Sequence, residues 1–385
     1  MAGRARSDTD AITTTIDPIM ANSIPVDLNS TACTPNVSTS APVEVRRLEP
    51  REENEWDQFV LASPFGTFFH LSGWMRVVED VFRRPSLPLV AVRNGRICGA
   101  FPISRVRIPF VGKCLVSMPL GVYGGICAND SDSYFGLLRA GRELATRLQV
   151  DYLEMRNRFE PFPTSLPGRD LYVTFTQDLS PGPEKLLQAL PRDTRYAIRK
   201  SQKTGLEWTE DLTSAEFYDI YAHSVHHLGT PVFPRKLFDR LKEVFPGKVR
   251  VFGVRKASKA IAGVMCFYHR DAVLPYYGGA LQGYQRESPN NFMYWNLMAQ
   301  SSKEGIREFD FGRSKRGTGS YHFKSAWSMV ETDLPYRYHL VKAKEVPHLS
   351  PIDKKFQLPV AAWKRLPFAW TKVLGPRVIP WIPSI

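Results

Sequence analysis

Cysteine and long apolar runs are scarce in this sequence of 385 residues, and their scarcity excludes several classes of protein. The five cysteines are widely spaced and form no C-x-x-C pair, which argues against a disulfide framework or a thiolate zinc site. We therefore expect a protein of a reducing compartment, the cytoplasm. The longest stretch without charge, Cys114–Asn129, contains proline and glycine and is shorter than the roughly 20 apolar residues of a membrane span. The polar N-terminal residues predict no secretory signal.

Acidic residues are also too few to balance the basic ones. The chain has 51 Lys and Arg against 38 Asp and Glu, a formal net charge of +13, which indicates an anionic partner. No acid follows Asp353, and the C-terminal extension, residues 346–385, is rich in cations, tryptophan and proline. This composition predicts peripheral contact of residues 354–385 with an anionic membrane at its inner face, with a strap packed across a domain as the alternative.

The remaining sequence contains an internal repeat behind a polar N-terminal tail. Residues 1–42 show no apolar period and predict a disordered tail. A β-hairpin, an aromatic-Gly-Gly step, a helix and a strand then occur twice in the same order. The predicted elements are hairpins at 89–101 and 251–265, helices at 134–148 and 292–302, and strands at 152–155 and 308–311. This repeat predicts an α/β fold of two tandem domains, 43–178 and 179–345, with mixed sheets flanked by helices.

A basic stripe lies between the two halves on a predicted helix, residues 186–204. Four cations follow each other at i, i+3, i+7 and i+11 on one helix face, and a fifth lies beside them. These residues are Arg192, Arg195, Arg199, Lys203 and Lys200. Clustered cations bind phosphates through charge-assisted hydrogen bonds, so the stripe predicts a site for tRNA or a phosphorylated carrier, with a solvated basic face as the alternative.

At this stripe the sequence resembles a known family, the FemAB-like transferases. Residues 195–205 are similar to the family's R-x-x-I-x-K-x-x-K-x-G segment, and residues 67–74, ending in Trp74, are similar to its first motif. Its last two motifs resemble residues 310–314 and 323–327. The segment Leu228–Phe233 resembles the branch associated with PEP-CTERM and exosortase systems.

The resemblance implies two tandem GNAT-like domains and an acyltransferase without a tightly bound cofactor. Family members transfer an aminoacyl group from charged tRNA to an amine of a peptidoglycan precursor. The branch points to exopolysaccharide or other cell-envelope precursors. Lys324 matches the family's functional Phe-Lys pair, which implies that it stabilises the oxyanion formed during transfer. This chain lacks the coiled-coil insertion that typical members carry after the basic helix, so the donor stays open between aminoacyl-tRNA and an acyl thioester.

Other residues are candidates for binding and positioning the acceptor. Asp310 follows an apolar strand and precedes Gly312, where a carboxylate can orient or deprotonate an amine, or cap the strand. Aromatic and amide side chains flank the cleft expected in the second domain and predict acceptor binding, with packing in the core as the alternative. These residues are Tyr276, Tyr277, Asn290, Asn291 and Tyr294. Trp74, in the first domain, has the same two interpretations, and its place in the family's first motif favours acceptor binding. His223, His226 and His227 lack the glutamate and the third ligand of a zinc site, so we predict no metal.

Two further functions stay open at the level of sequence. An acyl-CoA-dependent N-acyltransferase carries a Q/R-x-x-G-x-G/A loop, and residues 313–319 differ from it by one position. Their glycines can still form an anion nest. A non-enzymatic protein that binds nucleic acid or a membrane surface would use the same cations, without needing Asp310 or Lys324.

Overall fold

The fold is described by a computed structural model over residues 41–108, 112–347 and 354–382. The strands are β1 (Glu44–Arg47), β2 (Leu89–Arg93), β3 (Arg96–Phe101), β4 (Ser104–Ile108), β5 (Gly112–Ser117), β6 (Cys127–Ala128), β7 (Tyr152–Met155), β8 (Gly168–Arg169), β9 (Tyr172–Asp178), β10 (Leu206–Thr209), β11 (Val249–Lys256), β12 (Lys259–His269), β13 (Ala272–Ala280), β14 (Glu308–Asp310), β15 (Ser314–Lys315), β16 (Val330–Asp333) and β17 (Tyr336–Leu340). The helices are α1 (Glu53–Ala62), α2 (Ser72–Phe82), α3 (Ser131–Arg147), α4 (Pro183–Ala189), α5 (Arg192–Ser201), α6 (Ser214–Leu228), α7 (Arg235–Val244), α8 (Pro289–Lys303), α9 (Gly319–Ser325), α10 (Lys354–Arg365) and α11 (Phe368–Val378). The predicted disordered tail, 1–42, lies outside the described residues except for its last two.

The repeat predicted from the sequence is present in the structure. Strands β2 and β3 form an antiparallel hairpin, and β11 and β12 form its counterpart in the second half. Helix α3 then connects the parallel strands β5 and β7, as α8 connects β13 and β14. Both helices cover their sheets with apolar side chains, and the Asp130 side chain caps α3 by accepting a hydrogen bond from the Ser133 amide. This arrangement confirms an α/β fold of two similar halves with mixed sheets.

The two halves exchange strands. Strand β9 comes before the second half in the chain, yet it pairs with β14, aligning Asp178 with Glu308. Strand β17 comes near the end of the second half, yet it pairs with β7, aligning Arg337 with Met155. Each sheet is therefore completed by a strand from the other half. The domain boundaries 43–178 and 179–345 stay a prediction.

Proline divides the helix predicted at 186–204 into two. Leu190 has an extended backbone, because the residue before a proline is disfavoured in the helical region. Helix α4 therefore ends at Ala189, and α5 begins at Arg192, after Pro191. On α5, Ile198 is buried, and the Thr194 hydroxyl donates to the carbonyl of Ala326 over 2.6 Å. The single basic helix of the prediction is thus wrong, while α5 carries four of its five cations.

An aromatic core joins the two halves. Its buried members include Trp56, Phe68 and Trp74 from the first half, and Phe238 and Phe267 from the second. The rings of Phe68 and Phe267 stack with centroids 4.6 Å apart. Such contacts add roughly 0.5–1.5 kcal/mol to the free energy that burial of the rings contributes. The chain from Pro42 onward forms one compact unit.

The C-terminal helices α10 and α11 pack against α6. The His223 ring stacks on Phe368 with centroids 3.5 Å apart, and a ring nitrogen of His226 lies 3.1 Å from the carbonyl of Leu366. Lys372 on α11 forms an ion pair with Asp219 on α6. The histidines considered as zinc ligands thus include two that hold the C-terminal extension against the second half.

Candidate active site

A cavity of about 360 Å³ opens where β13 and β14 separate. These parallel strands pair only at Ala272–Glu308 and Val273–Phe309. Farther along, residues 275–278 of β13 and residues 311–313 after β14 both line the cavity. Leu120, Val122 and Arg156 of the first half line it as well. The cavity therefore lies at the junction of the two halves, where strands that separate expose backbone groups to a ligand.

A β-bulge brings two of the predicted acceptor residues to this cavity together. Met265 pairs with Tyr277 and Cys266 pairs with Pro275, so Tyr276 has no partner on β12. Side chains of a regular strand alternate between the two faces, but a bulge interrupts that alternation. Tyr276 and Tyr277 accordingly both line the cavity, joined by Tyr294 from α8.

Lys324 lies in the cavity wall. It projects from α9, a short helix whose first turn is capped by the side chain of Thr318. Its Nζ donates to the carbonyls of Phe311 at 2.6 Å and Gly312 at 3.0 Å, with the carbonyl of Arg313 at 3.4 Å. The pKa of Lys324 is lowered to about 8, chiefly by burial; the charge of Asp310 opposes this shift and the charge of Arg313 adds to it. An ammonium group held in this way can donate a hydrogen bond to an oxyanion formed in the cavity.

Asp310 is buried behind the cavity wall and does not line it. Its Oδ1 accepts hydrogen bonds of 2.7 Å from the Thr174 hydroxyl and from the amide of Gly312. Its Oδ2 accepts one of 3.0 Å from the Tyr123 hydroxyl and lies 3.3 Å from the Arg158 guanidinium. All four partners hold the carboxylate in place, so Asp310 fixes the segment 311–313 whose carbonyls bind Lys324.

Two arginines of the cavity wall were not among the predicted site residues. Arg156 is buried and donates to Glu154 at 3.0 Å and to the carbonyl of Gly121 at 2.8 Å. Arg313 lies over the ring of Tyr172, 4.6 Å from its centroid. A sequence signal for both existed, because Arg156 directly follows the predicted strand 152–155 and Arg313 follows the corresponding strand 308–311. Side chains at such strand ends converge on the cleft of a parallel sheet.

The remaining predicted acceptor residues lie outside the cavity wall. Trp74 is fully buried, donates through Nε1 to the carbonyl of Pro119 over 3.0 Å and packs against Tyr276. It supports a cavity residue from behind. Asn290 and Asn291 are in the first turn of α8, three to four residues before Tyr294, and neither lines the cavity.

The predicted phosphate-binding residues lie on the surface, away from the cavity wall. Four of them are exposed: Arg192, Arg199, Lys200 and Lys203. Arg195 is half-buried, and its guanidinium donates to the carbonyls of Gln188 and Leu190. Within the described residues, none of these five forms an ion pair with an acid. Helix α5, which carries all of them except Lys203, is connected to the cavity wall through the hydrogen bond from Thr194 to Ala326, two residues after Lys324.

In the described ranges, no group of three or more His, Cys, Asp or Glu side chains is arranged to hold a metal ion. Over these ranges, too, every helix is either too short or too polar to cross a bilayer.

The comparisons with known proteins agree with this geometry. Residues 190–325 match the family model described as an acetyltransferase (GNAT) domain. The matched range includes the basic helix α5, the separating strands β13 and β14, and Lys324. No curated protein matches the sequence. The duplicated fold and the matched domain define an acyltransferase built from GNAT-like domains, as predicted, and they set aside the non-enzymatic alternative.

Several solved structures have a similar fold. The fold is similar to that of FemX, with a TM-score of 0.61 at 12% identity over 78% of this chain and 98% of that one. It is also similar to a structure from Agrobacterium fabrum described as the C-terminal domain of a "Putative Lysylphosphatidylglycerol Synthetase", with a TM-score of 0.52 at 11% identity over 87% and 99% of the two chains. A tandem GNAT protein from the clavulanic acid biosynthesis pathway matches at a TM-score of 0.49 and 11% identity, over 79% and 100% of the two chains. At such identities, similarity shows the fold alone.

Proposed function

We propose that this protein forms an amide by transferring an acyl or aminoacyl group to an amine of a cell-envelope or exopolysaccharide precursor. The observation that carries the proposal is Lys324, a buried ammonium held by backbone carbonyls in the wall of a cavity between separating strands. The segment Leu228–Phe233, which resembles the PEP-CTERM-associated branch, supports the choice of acceptor, because Phe233 lines this cavity.

The transfer needs neither a covalent enzyme intermediate nor a metal. The neutral amine of the acceptor attacks the carbonyl carbon of an ester or thioester, and a C–N bond forms. Lys324 donates a hydrogen bond to the oxyanion, using the proton directed at the Arg313 carbonyl, its most distant partner at 3.4 Å. The C–O or C–S bond then breaks, and the proton lost by the amine neutralises the leaving oxygen or sulfur. One such donor typically contributes about 3–4 kcal/mol of transition-state stabilisation.

Asp310 acts in this proposal as a positioning residue. Its carboxylate binds the Gly312 amide and so orders the carbonyls that hold Lys324. The role of activating the acceptor amine, which the sequence also allowed, does not fit a carboxylate with four protein partners behind the cavity wall.

The donor is proposed to bind through the cations of α5. Aminoacyl-tRNA is the first candidate, because Arg192, Arg199 and Lys200 on α5 and Lys203 just after it are exposed, and α5 adjoins the chain beside Lys324. An acyl-CoA is the second candidate, because residues 190–325 match a model described as an acetyltransferase domain.

Competitive binding at physiological salt tests the choice of donor. The purified protein is offered aminoacyl-tRNA, uncharged tRNA and acyl-CoA, and is compared with the double variant Arg195→Glu/Arg199→Glu. A matched control reverses two exposed charges elsewhere, Arg139→Glu/Arg142→Glu on α3. Preference for charged tRNA, lost only in the α5 variant, is the expected result. Saturable acyl-CoA binding without tRNA preference would identify the second donor. Binding of neither would contradict both.

We also propose a location for the enzyme, at the inner face of the cytoplasmic membrane. One face of α11 carries exposed apolar side chains at helical spacing: Trp370, Val373, Leu374 and Val378. Trp370 is the most exposed of the four, at 64%. No acid follows Asp353 in the chain, so the cations around this face complement anionic lipids. This contact would hold the enzyme beside lipid-linked acceptors.

A further inference from the structure

The cavity wall is charged with a single sign. Among the described residues that line it, the charged ones are Arg156, Arg313 and Lys324, and no carboxylate accompanies them. Asp310 and Glu154 lie behind this wall. A cavity lined in this way attracts an anion, because its low-dielectric walls focus the field of the cations.

The three cations differ in their partners. Arg156 forms an ion pair with Glu154 at 3.0 Å. Lys324 donates to two carbonyls within 3.0 Å. Arg313 has one hydrogen-bond partner among the described residues, the Tyr336 hydroxyl at the long distance of 3.4 Å, and forms no ion pair with any of them. Arg313 is half-buried, and a guanidinium partly withdrawn from solvent without an anion carries a cost that a ligand can remove.

Aromatic rings fix the orientation of Arg313. Its guanidinium lies 4.6 Å from the centroid of Tyr172 and 5.9 Å from that of Tyr336. Tyr336 is itself buried, and its hydroxyl bonds to the carbonyl of Val122. A guanidinium that lies over an aromatic ring can still direct its N–H groups at a ligand.

We propose that Arg313 binds a carboxylate of the acceptor, so that the acceptor carries both an amine and a carboxylate. A planar guanidinium matches a carboxylate with two parallel hydrogen bonds. One cation without a compensating partner suits a monoanion better than a phosphate dianion. We assign this carboxylate to the acceptor and not to the donor. The aromatic residues predicted to bind the acceptor share the cavity with Arg313, whereas the cations proposed to bind the donor lie outside the cavity. The proposal rests on the proposed function of this cavity.

Fluorine NMR tests the site without requiring turnover. The probes are 4-fluorobenzoate, its neutral counterpart 4-fluorobenzamide, and 4-fluorophenyl phosphate, each titrated into the full-length protein. We expect the benzoate to bind, with affinity at least about tenfold above the amide, since a hydrogen bond to a charged group is worth roughly 1.5–3 kcal/mol. Arg313→Gln should remove this preference. Arg316→Gln, at an exposed arginine three residues away that pairs with Glu331 and Asp333, should keep it.

The results separate this inference from the proposed function. Equal binding of benzoate and benzamide, preference for the phosphate, or an unchanged preference in Arg313→Gln would each overturn the role of Arg313. If Arg313→Gln does not fold, as judged by circular dichroism, Arg313→Lys replaces it and should weaken benzoate binding by about tenfold, because lysine keeps the charge but lacks the planar pair of donors. An unchanged affinity in that variant refutes the proposal. Benzoate binding through Arg313 in a protein inactive on every amine would refute the proposed function alone. Transfer that depends on Lys324, without carboxylate preference, would refute this inference alone.

Discussion

The charge of Lys324 should set the alkaline limit of the reaction. Only the ammonium form can donate a hydrogen bond to the oxyanion, and burial lowers the pKa of this group to about 8. At pH 7 roughly nine in ten molecules carry the charge, and at pH 9 roughly one in ten. The rate of the transfer step should therefore fall about tenfold per pH unit above pH 8 through this group.

Comparison with Lys324→Arg isolates this effect from the titration of the acceptor amine. The guanidinium stays charged at every accessible pH, so the ratio of the wild-type rate to the variant rate cancels the contribution of the amine. That ratio should be constant below pH 7 and decline above pH 8. Lys324→Ala removes the donor and should lower kcat by about 10²- to 10³-fold.

Single-turnover amide formation measured from pH 6 to pH 10 provides the assay. Circular dichroism on each variant confirms that the fold is retained. A ratio that does not change with pH, or a near-normal kcat for Lys324→Ala, would refute the role of Lys324 in transition-state stabilisation.

The other predictions concern the surroundings of this lysine, the membrane face and the shared sheets. Asp310→Asn should shift the alkaline limit of the reaction below pH 8, because the charge of Asp310 raises the pKa of Lys324. If the variant is thermally destabilised but its alkaline limit does not change, the role of Asp310 is purely structural. Trp370→Ala/Val373→Ser should reduce binding to vesicles of anionic lipid several-fold in a flotation assay, whereas equal binding to neutral vesicles would contradict the proposed surface. Residues 43–178 and 179–385, expressed separately, should each fail to give the cooperative thermal transition of the whole chain, because each lacks a strand of its sheet; a cooperative transition in either piece would contradict this.

The sequence was sufficient for features decided by neighbouring residues. Alternating apolar residues and polar turns located the hairpins, and Tyr152–Met155 is a strand with the predicted bounds. Pro191 lies inside the predicted helix, residues 186–204, and the prediction did not include its effect on the residue before it. Because Leu190 before it is extended, the helix ends there in the structure.

Features decided by distant residues could not be predicted in the same way. The pairing of β9 with β14 joins segments that are far apart in the chain, and no local pattern encodes it. Asp310 and Trp74 were identified as candidate residues, yet their burial depends on partners that are remote in the chain, Tyr123 for one and Pro119 for the other. Composition indicates that an aromatic or an acid is present, but only the three-dimensional contacts decide whether it faces a ligand.

The exchanged strands have a mechanical consequence for substrate entry. A rotation of one half against the other would have to break the hydrogen bonds of β9 with β14 and of β17 with β7. We therefore expect the junction that contains the cavity to resist a hinge-like opening between the halves, and the acceptor to enter past the side chains at the rim of the cavity.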